Sequence, residues 1–185
     1  MAEHAHPDQV LFQGEKPFPI LPAVDHYAGS EKLMKKALAV QHELGAVFDI
    51  TCDCEDGAHA GAEADHARMA AGVIMSEDNR FGRVGARIHD ITHPHWEQDV
   101  DILVGLAGSR LAFLTIPKVR CAADAARQIE SIRSAEERHG IERAIPVHVL
   151  IETHGALREA WEIAALDRVE SLDFGLMDFV SGHHG

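Results

Sequence analysis

The 185-residue sequence contains no apolar run near the roughly 18–20 residues that a membrane-spanning helix needs. Its opening segment, MAEHAHPDQV, has neither the basic nor the apolar stretch of a secretory leader, so no signal peptide is expected. Cysteines number only three, Cys52, Cys54 and Cys121, an odd count without a metal-ligand framework. Cys52 and Cys54 stand two apart on an apparent strand end, sharing a face but too far apart along it to pair. A reducing, cytoplasmic compartment is the simplest reading. Lys and Arg total 17 against 30 Asp and Glu, a formal charge of −13. No basic stripe is available for a nucleic acid. An anionic small substrate stays compatible, because a few local Arg and Lys residues or a metal can hold one. The 14 histidines are scattered apart from the pairs His4/His6, His93/His95 and His183/His184, so no His-rich metal tract stands out.

What is present is ordinary globular composition, 46% apolar and 25% charged, enough for one cored domain. Residues 1–17 are polar and aperiodic and read as an N-terminal arm; residues 18–185 read as a single domain. Short β-rich runs then alternate with helical patterns. Strands are expected at Pro19–Val24, Ala46–Asp53, Gly82–His89, Leu111–Lys118, Ile145–Thr153 and Val169–Leu176. Helices are expected from Ser30, an N-cap, to Leu44 with Gly45 behind it, then over Ala60–Ser76, His95–Ala107, Ala122–Arg138 closed by Gly140, and Ala156–Ala165. Trp96 and Trp161 fall on helices and are expected to pack in the core.

Such alternation implies βαβ units and a parallel sheet. No GxGxxG follows the first strand. Polar residues gather instead at the C-terminal ends of strands two to six, the rim where a (β/α)8 barrel does its chemistry. An open doubly wound sheet would concentrate them at one switch point. The fold class predicted is therefore α/β, a (β/α)8 TIM barrel, with this chain covering about its first six β/α units. A whole barrel takes about 250 residues, so the expectation is a longer native protein whose C-terminal part is absent here; a complete open six-stranded sheet is the alternative.

Glu152 ends the fifth strand and Asp178 follows the sixth. Two carboxylates at neighbouring strand ends can share a Mg2+ ion, which accepts one or two protein carboxylates and completes its octahedron with substrate and water oxygens. As a Lewis acid it would polarise a keto or hydroxy-acid oxygen. Solvated loop acids are the alternative. Arg87, at the end of the third strand, can grip a carboxylate through two parallel hydrogen bonds, or form a structural ion pair with the acids Asp53, Glu55 and Asp56 next door. Those acids crowd three negative charges into four residues, which raises pKa values unless a cation intervenes. Lys118 can bind an anion or pair with a rim carboxylate; a Schiff-base role would need a desolvated pocket. The lone rim histidines His89 and His154 read as polar loop residues, and the HxH of His93 and His95 lacks an evident third ligand.

Taken together, DCEDG (53–57), ARIH (86–89), IPKV (116–119), LIETHG (150–155) and FGLMDF (174–179) resemble the ordered motifs of the HpcH/HpaI aldolase/citrate lyase superfamily, and most closely its citrate-lyase β-subunit and malyl-CoA-lyase branch. The likeness covers about residues 18–180. It implies a Mg2+-dependent carbon–carbon lyase that forms or cleaves a bond between an acyl-CoA-type enolate and a keto acid such as oxaloacetate or glyoxylate. It implies Glu152 and Asp178 as metal ligands, with Glu152 also facing substrate, and Arg87 as the carboxylate-binding residue. Glu55 and Asp56 match the acidic pair near that arginine, with a supporting or proton-handling role, and Lys118 matches the rim lysine. It further implies a homotrimer or hexamer, and a C-terminal segment, partly from a neighbouring subunit, that closes the site. His89 stands where the family usually has Asn, and the PAVDHYAGS opening departs from the usual one. Three other readings stay open: a metal-dependent 2-keto-3-deoxy acid aldolase, a thioester hydrolase of the same superfamily, and a non-catalytic barrel subunit.

Overall fold

A computed structural model describes residues 21–22, 24–57 and 61–183. Six parallel strands run in sequence order: β1 (Asp25–Ala28), β2 (Asp49–Asp53), β3 (Val84–Arg87), β4 (Leu114–Ile116), β5 (Val147–Ile151) and β6 (Val169–Phe174). Between and after them lie α1 (Glu31–Leu44), α2 (Glu63–Met75), α3 (Trp96–Ala107), α4 (Ala122–His139), α5 (His154–Arg158), α6 (Ala160–Ala164) and α7 (Leu176–Gly182). Sequential order without reversal is barrel winding rather than the doubly wound kind. The sheet curls into half of a (β/α)8 barrel. The curl shows in Asp25 of β1 and Asp173 of β6, which approach one another although their strands sit at opposite ends of the sheet.

Period-two alternation sorts the strand side chains. Ile50 and Cys52, Val84 and Ala86, Leu114 and Ile116, and Val147, Val149 and Ile151 enter the apolar core that the helices cover. The alternate positions face inward and are largely polar: Tyr27, Thr51, Arg87, Thr115, His148 and Glu152. Inside the curl Gly85 is required by bulk, because a Cβ there would lie 2.4 Å from the Phe113 ring. The helices begin and end where local chemistry dictates. Ser30 accepts the Leu33 N–H at 3.4 Å at the start of α1, and Gly45 follows its end at φ 83°. Gly140 closes α4 in the left-handed conformation, donating its N–H to the carbonyls of Glu136 and Glu137.

Four expectations need correction. The first strand lies at Asp25–Ala28, not at Pro19–Val24. Residues 19, 20 and 23 fall outside those described, and Leu21, Pro22 and Val24 are not in a strand. Proline has no N–H for a ladder, whereas DHYA offers an unbroken backbone that pairs with β2 from Asp25 to Ala28. The helix expected at Ala156–Ala165 is two short ones broken at Glu159, the junction that both share as cap. Trp161 is 86% exposed rather than packed, while Trp96 is buried as expected. Asp178 follows β6 as expected, but in the first turn of a helix, α7, where none was expected. The other strands are shorter than expected by a few residues at their ends, where the chain turns into loops.

Candidate active site

The β2 strand ends in Asp53, whose carboxylate organises the loop after it. Oδ1 accepts the Glu55 N–H at 3.0 Å and Oδ2 accepts the Gly57 N–H at 2.9 Å. A Cβ on Gly57 would lie 2.5 Å from Oδ2, so glycine alone lets the loop fold this tightly. From β3, which pairs Arg87 beside Asp53, the guanidinium docks on the same carboxylate. Nε reaches Oδ1 at 2.8 Å and Nη2 reaches Oδ2 at 2.7 Å, the parallel two-bond fork that fixes orientation as well as charge. Nη1 lies 2.9 Å from Glu55 Oε2 and 3.7 Å from Asp56. Beneath it, the Tyr27 ring of β1 lies 5.2 Å from the guanidinium carbon.

Lys118 completes the cluster. Its ammonium is 2.9 Å from Glu55 Oε1 and 2.9 Å from both oxygens of Asp56. Burial works against its charge, but the bonds to Glu55 and Asp56 prevail and hold its pKa above the usual lysine range. A lysine held charged is in the wrong state for attack on a carbonyl. Burial pushes Glu55 up to about 7, against the pull of Arg87 and Lys118. For Asp56 burial is outweighed by Lys118 and Arg87, and its pKa lies below the ordinary value.

Lys118 adopts a positive φ of 49°, a region L-residues occupy rarely and mostly at functional sites. That turn aims its backbone N–H at Glu152 Oε1, 2.7 Å away. Glu152 ends β5, is 4% exposed, and is crowded by Gly175, where a Cβ would lie 2.3 Å from Oε2. Burial raises the Glu152 pKa, the Lys118 N–H opposes this, and the charge of Asp178 raises it further. Glu152 and Asp178 line a hollow of about 650 Å³ that Arg87 and Tyr27 also line. Two hard oxygen donors, one of them buried and raised in pKa chiefly by that burial, suit a divalent cation.

All six residues singled out from sequence, Glu55, Asp56, Arg87, Lys118, Glu152 and Asp178, therefore gather at the C-terminal rim. Arg87 forms the ion pair with the acidic loop that was weighed as its alternative, and still faces the hollow. His89 is not a loose loop residue: its Nδ1 is 2.5 Å from buried Asp99, which also accepts the His89 N–H at 3.0 Å. His93 stacks on His89 at 3.9 Å and lies 5.6 Å from His95, ring centre to ring centre. Sequence reasoning missed the inward residues below the rim, Asp25, Tyr27, His148 and Asp173. Their signal was polar residues at alternate positions within strands, as in Asp25-x-Tyr27 and Ser171-x-Asp173, rather than at strand ends alone.

Comparisons with known proteins give the family and the fold. Residues 32–183 match the family model described as HpcH/HpaI aldolase/citrate lyase. The chain is 32% identical over 151 residues to an L-malyl-CoA/beta-methylmalyl-CoA lyase of Cereibacter sphaeroides, covering 80% of this chain and 46% of that protein. A citrate lyase structure from Burkholderia xenovorans LB400 superposes with a TM-score of 0.86 at 53% identity, over 92% of this chain and 53% of that one. The citrate lyase β subunit of Mycobacterium tuberculosis, solved with oxaloacetate and magnesium, shares the fold at a TM-score of 0.64 and 18% identity, over 89% and 63% of the two chains. This chain thus spans about half the length of the malyl-CoA lyase and of the Burkholderia protein. The matched span includes every strand from β2 to β6 and the whole rim cluster: the chain belongs to the HpcH/HpaI aldolase/citrate lyase family.

Proposed function

We propose that this chain carries the metal- and keto-acid-binding part of a Mg2+-dependent carbon–carbon lyase. The reaction would form or cleave the bond between an acyl-CoA-type enolate and a keto acid such as oxaloacetate or glyoxylate. The observation that carries the reading is the hollow shared by Glu152, Asp178 and Arg87. The names of the relatives support it: one is a malyl-CoA lyase, and another was solved with oxaloacetate and magnesium.

Glu152 and Asp178 would hold the ion, and the ion would supply Lewis-acid polarisation of the keto or hydroxy oxygen. Everything else falls to the chain's own groups. Arg87, immobilised by Asp53, keeps N–H groups on Nη1 and Nη2 beyond those that Asp53 and Glu55 engage, and these can bind the keto-acid carboxylate. In the cleavage direction the hydroxyl proton of the β-hydroxyacyl thioester leaves, its C–O bond becomes a carbonyl, and the C–C electron pair passes to the thioester enolate. Glu55 suits the proton-handling role at a carboxylate oxygen because its pKa of about 7 lies near the working pH. Lys118 and Arg87 offset the charge that develops on oxygen. Among the described residues no helix is long and apolar enough to cross a membrane, and Cys52 and Cys54 are buried free thiols. Both accord with a cytoplasmic enzyme, proposed as a homotrimer or hexamer.

Ligand-observed NMR tests the reading. Oxaloacetate and glyoxylate signals should show saturation transfer with Mg2+ present and lose it on chelation. Transfer that persists undiminished after chelation would contradict the proposal. Selective binding of a 2-keto-3-deoxy sugar acid would replace it with the aldolase reading.

A further inference from the structure

Below the rim, on the inner wall of the barrel, β1, β5 and β6 bring together Asp25, His148 and Asp173. One ligand atom from each lies within 4.8 Å of the others. We propose that these three residues form a second divalent-cation site, separate from Glu152 and Asp178 and suited to Zn2+ or another transition metal rather than Mg2+.

His148 is the centre of the site. It is 4% exposed, and its ring is clamped against Phe113, stacked at 3.9 Å with 10° between the planes. Nε2 lies 3.2 Å from Glu170 Oε2. A proton on Nε2 donated to that carboxylate leaves Nδ1 as a bare lone pair, the arrangement in which a carboxylate fixes the tautomer of a metal-binding histidine. Nδ1 is buried and has no hydrogen-bond partner. It faces Asp173 Oδ2 at 3.8 Å, an oxygen that is itself buried and without a hydrogen-bond partner. A separation of 3.8 Å is what two ligands span when each stands about 2.1 Å from one ion at an open angle.

The surroundings are built toward that point. Ser171 donates its hydroxyl to the other Asp173 oxygen at 2.6 Å. The Thr51 hydroxyl lies 2.8 Å from both oxygens of Asp25. Between β5 and β6 the register shifts, so that Val147 pairs with Val169 but His148 pairs with Ser171. Glu170 is the extra residue of this bulge, and bulges re-aim side chains; here the re-aimed one meets Nε2. The charges facing the cluster are Asp49 and Glu170, with Arg83 on Asp49 at 3.3 Å. Asp25 and Asp173 bring two carboxylates to one point, so a doubly charged ion would offset their repulsion. One nitrogen and two carboxylates favour a borderline metal over the all-oxygen preference of Mg2+. The cluster opens into the same hollow as Arg87, which gives an entry path. A bound ion would tie β1 to β6, the two strands at the ends of the sheet.

The test uses the metal alone, on chelator-stripped protein. Zn2+ is titrated calorimetrically into wild type, His148→Gln, Asp173→Asn and a Glu152→Gln/Asp178→Asn double variant, with circular dichroism to confirm folding. The tight Zn2+ site should be the same in wild type and the double variant, which loses only the weaker binding at the rim carboxylates. The His148 and Asp173 variants should lose at least about tenfold in affinity, the loss that even an outer partner of a metal ligand causes. Should either of these fail to fold, Asp25→Asn, which keeps an oxygen for Thr51, carries the same expectation. Equal Zn2+ affinity in the folded variants, loss of the tight site only in the double variant, or no binding by wild type would each overturn the proposal. Because the rim carboxylates are varied separately, failure here leaves the lyase reading standing.

Discussion

Gly175 lies so close to Glu152 that a Cβ in its place would sit 2.3 Å from Oε2 and 2.8 Å from the Glu152 Cβ. Its φ of −83° is open to any residue, so the glycine answers to bulk and not to backbone freedom. Gly175→Ala should therefore fold normally yet displace the Glu152 carboxylate. The expected result is a Mg2+ affinity lower by roughly tenfold, read by calorimetry, with circular dichroism showing the fold retained and a melting temperature lowered by the overpacking. Unchanged affinity would show that Glu152 is not held as the metal reading requires.

Arg87 and Asp53 make the most constrained ion pair at the rim, with side chains 10% and 6% exposed. Removing one partner of such a pair strands a buried charge. Arg87→Ala should cost about 3–5 kcal/mol in urea unfolding. Arg87→Lys should cost less stability but still weaken keto-acid binding, since an ammonium cannot reproduce the fork. Keto-acid affinity that survives the lysine substitution would make Arg87 purely structural.

Glu55 carries a pH prediction with a definite sign. Its pKa rises from 4.5 to about 7 on folding, so the native state holds the proton more tightly than the unfolded chain. The stability it contributes is complete below about pH 4.5 and is lost as pH rises through about 7. Measured as the difference in unfolding free energy between wild type and Glu55→Gln, this contribution should change by on the order of 3 kcal/mol across that window. A pH-independent difference would contradict the assignment.

Gly85 and Phe113 fill the inner wall, the ring lying 2.4 Å from where a Gly85 Cβ would be. Phe113 in turn stacks on His148. Gly85→Ala should overpack this wall at a cost of about 1–3 kcal/mol, seen as a lower urea midpoint. No loss of stability would mean the ring moves aside freely.

Much of this architecture was legible in the sequence. Ser30, Gly45 and Gly140 mark helix ends by chemistry that acts within a few residues, and the carboxylates at strand ends announce the rim. Asp25–Ala28 escaped because a barrel-lining strand with polar inward positions lacks the apolar signature of a buried one. The helix α7 that carries Asp178 escaped because seven residues give too little periodicity to detect. The Asp25, His148 and Asp173 cluster depends on the curl of the sheet and on a one-residue bulge at Glu170, neither of which has a local sequence signal.

The most direct measurement is a calorimetric titration of Mg2+ into wild type and Glu152→Gln, followed by oxaloacetate into each. The expected result is Mg2+ binding to wild type, oxaloacetate binding that requires the ion, and loss of both in Glu152→Gln. Oxaloacetate binding that is the same with and without Mg2+, or Mg2+ binding unchanged in the variant, would contradict it.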